Sequence, residues 1–261
     1  MEKPDVIIMA AGRGTRMESD FPKSLNFVGG RPTIVRIVES ARSICSMPIV
    51  VIGHGSSEFV KVLGGQCRYV FQKKQQGTGH AIICAKKALM DYAWGRRIII
   101  LPGDHPLITQ ETLRGLYDAH CRSGAAISLC TLKVPDFTGD NQLFSNYGRI
   151  VRDASGHVSS IIELRDATEA QKKIREVNVG YYCFETAWLL PNLERLTSQN
   201  VAGEFYITDL VGLATEQKMP IYAHAIGNPP EAMGFNTREQ LAIIRTYCVP
   251  IEKISKQPNP S

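Results

Sequence analysis

No apolar run in these 261 residues approaches the roughly 20 that a membrane-spanning helix needs, so no membrane partner is expected. The first apolar stretch, Val6 to Ala11, is too short for a secretory signal and runs into arginines. No Cys-x-x-Cys occurs. The seven cysteines (45, 67, 84, 121, 130, 183 and 248) are scattered and mostly set among apolar neighbours, as in Ile82-Ile83-Cys84. They read as reduced, buried thiols of a cytoplasmic protein. No dense stripe of Lys and Arg accompanies the mild net charge of +5, so no nucleic-acid partner is expected, whereas an anionic small molecule suits that balance. Two familiar phosphate loops are also missing. A P-loop needs Gly-Lys followed by Ser or Thr, which this sequence lacks. A dinucleotide fingerprint needs a third glycine, where Met17 stands, and a carboxylate after the second strand, where Pro48–Ile52 runs into Gly53-His54-Gly55.

What the chain does contain is alternation. An opening strand (Val6, Ile7, Ile8, Met9) is followed by a helix beginning at Pro32, with Ile34, Val35, Ile37, Val38 and Ala41 on roughly one side. Strand Ile49–Ile52, helix Ser57–Leu63, strand Tyr69–Phe71 and a helix from near Thr78 come next. Strand Arg97–Leu101 is apolar at consecutive positions, as a strand covered on both faces should be. Helix Gln110–Cys121 and strand Ala126–Leu132 complete the pattern. Repeated strand–helix units predict an α/β fold with a mostly parallel central sheet and helices on both faces. After Pro135 the rhythm changes. Thr138–Asn146 reads as a polar loop, Ile150–Arg152 and Val158–Ile162 as a hairpin, Ala167–Arg175 as a charged helix and Val177–Phe184 as a strand. With no internal repeat and no long linker, the expectation is one domain over 1–247, divided near 134/135, with a C-terminal tail at 248–261.

Three stretches carry chemistry. Met9-Ala10-Ala11-Gly12-Arg13-Gly14-Thr15-Arg16-Met17, then Pro22-Lys23, follows the first strand. Glycines here leave backbone N–H groups open, and cations stand close behind, which suits a polyphosphate; an ordinary basic turn is the alternative. Gly103-Asp104-His105 follows the strand 97–101, on the same carboxyl edge of the sheet. A carboxylate beside a phosphate loop repels the ligand unless a cation lies between, so Asp104 suggests Mg²⁺; a turn-forming Asp is the alternative. If Asp104 faces the site, alternation turns His105 away. Gln72, Gln75 and Gly77-Thr78-Gly79-His80 start a helix where a ligand can approach the backbone, and an amide can read a base edge; a polar cap would look the same. Asn236, before Thr237-Arg238-Glu239, reads as a helix N-cap.

Taken in order, these stretches carry a resemblance. The loop from Met9 to Met17 with Pro22-Lys23, Gln72, Gly77–Ala81, Gly103–Leu107, Tyr147-Gly148-Arg149-Ile150, Ile162-Glu163 with Asp166–Thr168, Asn178–Gly180, Gly203–Asp209 and Gly234-Phe235-Asn236 occur in register. From about Asp5 to Arg238 the chain resembles the uridylyltransferase domain of the bacterial N-acetylglucosamine-1-phosphate uridylyltransferases, within the sugar nucleotidyltransferase superfamily.

The resemblance implies a Rossmann-like three-layer nucleotidyltransferase fold, a nucleotide-binding half and a sugar-binding half. It implies Mg²⁺-dependent transfer from UTP to a sugar 1-phosphate, with N-acetylglucosamine 1-phosphate first, giving a UDP-sugar and pyrophosphate. The nucleotide would lie against Met9, Ala10, Ala11, Gly12, Gly14, Thr15, Gln72, Gly77, Thr78 and Gly103. Arg16 and Lys23 would act on its phosphates, Asp104 and Asn236 would bind the metal, and Gly148, Glu163 and Asn178 would contact the sugar, with Tyr206 and Thr208 nearby. No protein nucleophile is required, and no Gly-x-Ser-x-Gly is present.

The chain departs from that pattern at Pro102, where Tyr or Ser is usual, and at the extra segment Asp140–Asn146 on the rim where the sugar should enter. No hexapeptide repeats occur, so the acetyltransferase domain of the bifunctional members is expected to be absent. Transfer to glucose 1-phosphate or another phosphorylated acceptor, and a nucleotide-sugar-binding regulator without turnover, are the alternative functions.

Overall fold

The computed structural model describes residues 3–12, 14–17, 21–92 and 96–248, with the backbone alone at Thr15, Asp91 and Tyr92. Arg13 of the first loop and the tail from residue 249 onward lie outside the described residues.

The first half builds β1 (Asp5–Met9), a two-stranded ribbon of β2 (Phe27–Val28) and β3 (Arg31–Pro32), α1 (Thr33–Arg42), β4 (Ile49–Ile52), α2 (Ser56–Leu63) and β5 (Arg68–Phe71). It continues through α3 (Thr78–Tyr92), β6 (Arg97–Pro102), α4 (Gln110–Ser123) and β7 (Ile127–Lys133). The second half adds β8 (Arg149–Arg152), β9 (Val158–Ile162), α5 (Glu169–Lys172), β10 (Glu176–Glu185), α6 (Thr186–Asn192), α7 (Asp209–Glu216), β11 (Ile221–Ala225) and α8 (Arg238–Thr246). Among the described residues nine strands form one sheet, along the order β11-β7-β10-β6-β1-β4-β5, with the β8–β9 hairpin paired to β10. β5, β4, β1 and β6 run parallel, as do β7 and β11, while β10 runs antiparallel between β6 and β7.

Consecutive apolar residues in the central strands have a simple cause. Val6, Ile8, Val50, Ile52, Ile99 and Leu101 join one buried cluster, with residues of α1, α4 and α8. Ile7, Ile49, Val51, Ile98 and Ile100 join a second, with residues of α3, α6 and α7. Each strand alternates between two dry faces, so every position must be apolar. All seven cysteines are free thiols. No described helix is long and apolar enough to cross a membrane.

The second half departs from expectation in two places. The polar loop predicted for 138–146 contains a 3₁₀ stretch, Gly139–Asn146, because Leu143 and Phe144 are buried and pull the segment onto the body. The charged helix predicted over 167–175 is a single turn. A capping box between Thr168 and Gln171 starts it, and Arg175 is already tied to Val134 beside β10. β10 itself is bulged. Its register with β7 shifts between Asn178 and Tyr182, where Gly180 adopts φ of 86°, a conformation that L side chains rarely adopt.

One buried polar pair ties α4 to the sheet. His120 Nδ1 lies 2.8 Å from Ser128 Oγ, and its Nε2 lies 3.5 Å from Glu185, which also accepts from Arg97. Burial pushes the imidazole down to about 4 from 6.5, outweighing the pull of Glu185, so it is neutral in the fold. Between those values the unfolded chain binds the extra proton. Stability is therefore full above about pH 6.5 and declines toward 4, with roughly 2 kcal/mol lost through this group by pH 5. In urea unfolding, the stability difference between wild type and His120→Gln should shrink by about that amount from pH 7 to pH 5. A difference independent of pH would show that His120 takes up its proton within the fold.

Candidate active site

The strands β1 and β6 end side by side because Gly103 lets them. Its N–H donates to Met9 O at 2.9 Å, and an added Cβ would lie 2.7 Å from that oxygen and 2.9 Å from Ala10. Ala10 N–H donates across to Val51 O, so the three parallel strands are tied where β1 opens into its loop. At this carboxyl edge lies a cavity of about 400 Å³. Its lining brings together Met9, Ala10, Ala11, Gly12, Arg16, Lys23, Gln72, Gly77, Thr78, Gly103, Asp104 and Asn236.

Lys23 holds its centre. It follows Pro22 in a single 3₁₀ turn, and its Nζ forms an ion pair with Asp104 and donates to Asn236 Oδ1 at 3.0 Å. Gly14, which does not line the cavity, makes the space: a Cβ there would lie 2.9 Å from Lys23 Cβ, and its φ is 65°. Burial, the largest single effect, pushes the Asp104 carboxyl up, but the Lys23 ammonium and its hydrogen bond, with His105, together hold the group below its ordinary range. His105 is absent from the lining. It lies buried behind Asp104, with Nε2 3.6 Å from Asp104 Oδ1 and Nδ1 3.0 Å from Tyr181 Oη, and burial pushes its imidazole down to about 4. Asn236 is not the N-cap of α8. Thr237 takes that place by accepting from Gln240 N–H, which leaves the Asn236 side chain to Lys23.

On the opposite wall, Gln72 donates to Gly77 O at 3.1 Å, and its amide nitrogen lies 2.9 Å from His80 Nδ1. Gly77 has φ of 105°, and a Cβ on it would sit 2.5 Å from Phe205 O. The start of α3 is thereby pressed against residues 203–208, with Gly79 N–H donating to Phe205 O and Ile207 N–H to Thr78 Oγ1.

A second cavity of about 370 Å³ shares Arg16, Glu204 and Asn236 with the first. Leu143, Asn146, Tyr147, Glu163, Leu164, Arg165, Tyr206 and Gln240 contribute to its wall. Glu163 accepts from Thr208 at 3.0 Å, and burial, followed by the neighbouring Asp209, Asp166 and Glu204, pushes its carboxyl up. Gly148 and Asn178 stand behind this wall rather than in it. A Cβ on Gly148 would lie 3.6 Å from Glu163 Oε1, and Asn178 is buried, donating to Tyr182 Oη and accepting from Gly180 N–H. Arg149 is buried without a carboxylate and donates to Ser145 O, Tyr147 O and Lys172 O, while its guanidinium lies 4.5 Å from the Phe137 ring centroid. It ties the 3₁₀ stretch Gly139–Asn146 to α5. Ser24, Arg165 and Gln240 escaped the sequence reading, since each is a lone polar residue, and Glu204 entered it within the Gly203–Asp209 stretch without a role of its own.

Two cavities at the strand ends, joined through Arg16, Glu204 and Asn236, with glycines and Lys23 in the wall of the first, suit a nucleotidyltransferase. The pattern of the MobA-like NTP transferase domain matches residues 6–205. The bifunctional protein GlmU of Heliobacterium modesticaldum is 39% identical over 243 residues, covering 93% of this chain and 51% of that protein. GlmU of Geobacter metallireducens is 41% identical over 239 residues, covering 90% and 48%. This chain thus spans about half the length of those relatives. GlmU of Desulfotalea psychrophila is 36% identical over 240 residues, covering 91% and 68%. Among solved structures, a Bacillus anthracis protein described as a glucose-1-phosphate thymidylyltransferase, crystallised with sucrose, superposes with a TM-score of 0.70. That superposition covers 98% of this chain and 97% of its own at 16% identity, which establishes a shared fold. The chain belongs to the MobA-like NTP transferase domain family and is a nucleotidyltransferase of the GlmU type.

Two glycines of the same cavity should respond differently to alanine. Gly12 has nothing within 4 Å of its added Cβ, so Gly12→Ala should leave stability within about 0.5 kcal/mol while lowering triphosphate affinity measured by calorimetry. Gly103→Ala has backbone in the way and should cost about 1–3 kcal/mol of stability in urea unfolding. Equal stabilities of the two variants would contradict the close approach of β1 and β6.

Proposed function

We propose that the chain transfers a uridylyl group from UTP to a sugar 1-phosphate, N-acetylglucosamine 1-phosphate before others, and releases pyrophosphate. The observation that carries this reading is the position of Lys23. Lys23 lines the first cavity and is bonded to Asp104 and to Asn236, a residue that both cavities share, so charge gathered beside that common wall can be neutralised from one point. In this reading residues 1–134 supply the nucleotide half and 135–247 most of the acceptor half, in a cytoplasmic setting that suits seven free thiols.

The same two oxygens fit Mg²⁺. Among the described residues no group of three or more His, Cys, Asp or Glu offers an alternative metal site. One carboxylate and one amide oxygen that already share a cation are a sufficient protein contribution for this ion, which keeps water and phosphate as its other ligands. When bound, Mg²⁺ supplies Lewis-acid neutralisation of phosphate charge.

The chain's own residues do the rest. Backbone N–H groups of Ala11 and Gly12, with Gly14 and Thr15 beyond, hold the triphosphate, Met9, Ala10 and Gly103 lie along the nucleotide, and Gln72, Gly77 and Thr78 read the uracil. Arg16 lines both cavities and is placed to hold phosphates of both substrates. Glu163, backed by Gly148 and Asn178, orients the sugar hydroxyls and acyl group. The acceptor phosphate oxygen, already ionised, attacks the α-phosphorus as pyrophosphate leaves. Catalysis is positioning plus charge stabilisation.

A pyrophosphate-release panel tests the substrates. UTP should far exceed ATP and GTP, because a site built for specific hydrogen bonds rejects ligands that leave them unpaired. N-acetylglucosamine 1-phosphate should give the highest kcat/KM. A tenfold advantage for glucose 1-phosphate would overturn the acceptor and leave the chemistry standing. Lys23→Ala and Asp104→Ala should each lower kcat by roughly 100-fold or more, the scale of losing one donor to developing charge. A rise in KM alone for Lys23→Ala would reduce that residue to substrate binding.

A further inference from the structure

Tyr147 belongs to the wall of the acceptor cavity, yet its hydroxyl is committed elsewhere. It donates to Ala232 O at 2.9 Å and accepts from Gly234 N–H at 2.8 Å. Those partners lie on the segment that ends in Asn236. The Tyr147 ring meets Phe144 of the rim turn edge-on at 5.4 Å, and His105 at 6.0 Å. His105 backs Asp104, and an added Cβ on Gly234 would collide with its imidazole. One phenol thus touches the acceptor side of the cleft, the segment bearing Asn236 and the residue behind Asp104.

We infer that Tyr147 is a positioning residue that fixes the 232–236 segment from the acceptor side, so that the Asn236 amide and the Asp104 carboxylate converge on a single point. The inference rests on the nucleotidyltransferase reading of the cleft. Its physical basis is that two hydrogen bonds to one backbone stretch remove most of its freedom, and small displacements of a reacting group are expensive in rate. The hydroxyl does not need to touch either substrate for this. The rim turn contributes by holding the ring, through Phe144, in the one orientation that reaches both Ala232 O and Gly234 N–H.

The test is Tyr147→Phe, which keeps the ring on the cavity wall and deletes only the hydroxyl. Amide exchange at Gly234, followed by NMR without ligands, should quicken by about tenfold or more while the sheet keeps its protection. In steady state, kcat should fall about tenfold, with the acceptor KM held within about threefold. Gly234→Ala, which displaces the same segment from the His105 side, should produce the same split. A raised acceptor KM with unchanged kcat would make Tyr147 a simple wall residue and overturn the inference, as would unaltered exchange in an active Tyr147→Phe protein. A wild-type chain that releases no pyrophosphate with any acceptor would overturn the reading of the cleft and the catalytic part of the inference together, while faster exchange in the variant would still establish the anchoring.

Discussion

The half-buried contact of Lys23 with Asp104 and Asn236 is the constraint around which the cleft is arranged. Its three members come from the first loop, the end of β6 and the approach to α8, separated by 81 and 213 positions in the chain. Two charges partly withdrawn from water favour close partners, and removing one leaves the other without its counter-ion. Other features answer that demand. Gly14 yields the space for Lys23, Gly103 lets the neighbouring strands close up, and Thr237 assumes the capping duty that would otherwise occupy Asn236.

β10 joins the two halves. It lies between β6, which delivers Asp104, and β7, and it runs against both. The same strand carries Tyr181, which bonds His105 and donates to Glu231 O, and Asn178, which lies behind the acceptor wall. The bulge at Gly180 accommodates both ends: on one side of it β10 also pairs with the β8 hairpin, and on the other it completes the central sheet. The second half of the chain is therefore built into the first through shared strands.

Much of this was legible in the sequence. Runs such as Ile98-Ile99-Ile100 announce a strand buried on both faces, and the alternation with helices gives the parallel sheet. That the first cavity gathers Met9–Gly12, Gln72, Gly77 and Asp104 could be anticipated because these residues cluster at strand ends, where spacing and topology coincide. The rim was not, since two apolar residues inside a polar run carry no period, and only tertiary packing reveals that Leu143 and Phe144 are buried. Asn236 misled for a local reason: Asn and Thr both cap helices, and nothing in their order says which does. Arg165 and Gln240 gave no signal because their significance comes entirely from distant neighbours across the cavity.

The two cavities share Arg16, Glu204 and Asn236 and are in effect one trough. A trough with a common wall treats a joined molecule differently from its separate parts. Two ligands each surrender their freedom of movement on entering, whereas a covalently linked pair surrenders it once and keeps both sets of contacts. In the proposed reaction the joined product gives up only the contacts of the departing pyrophosphate, so it would compete for the whole trough with both incoming substrates. Restraint of synthesis by its own product would then need no separate regulatory site.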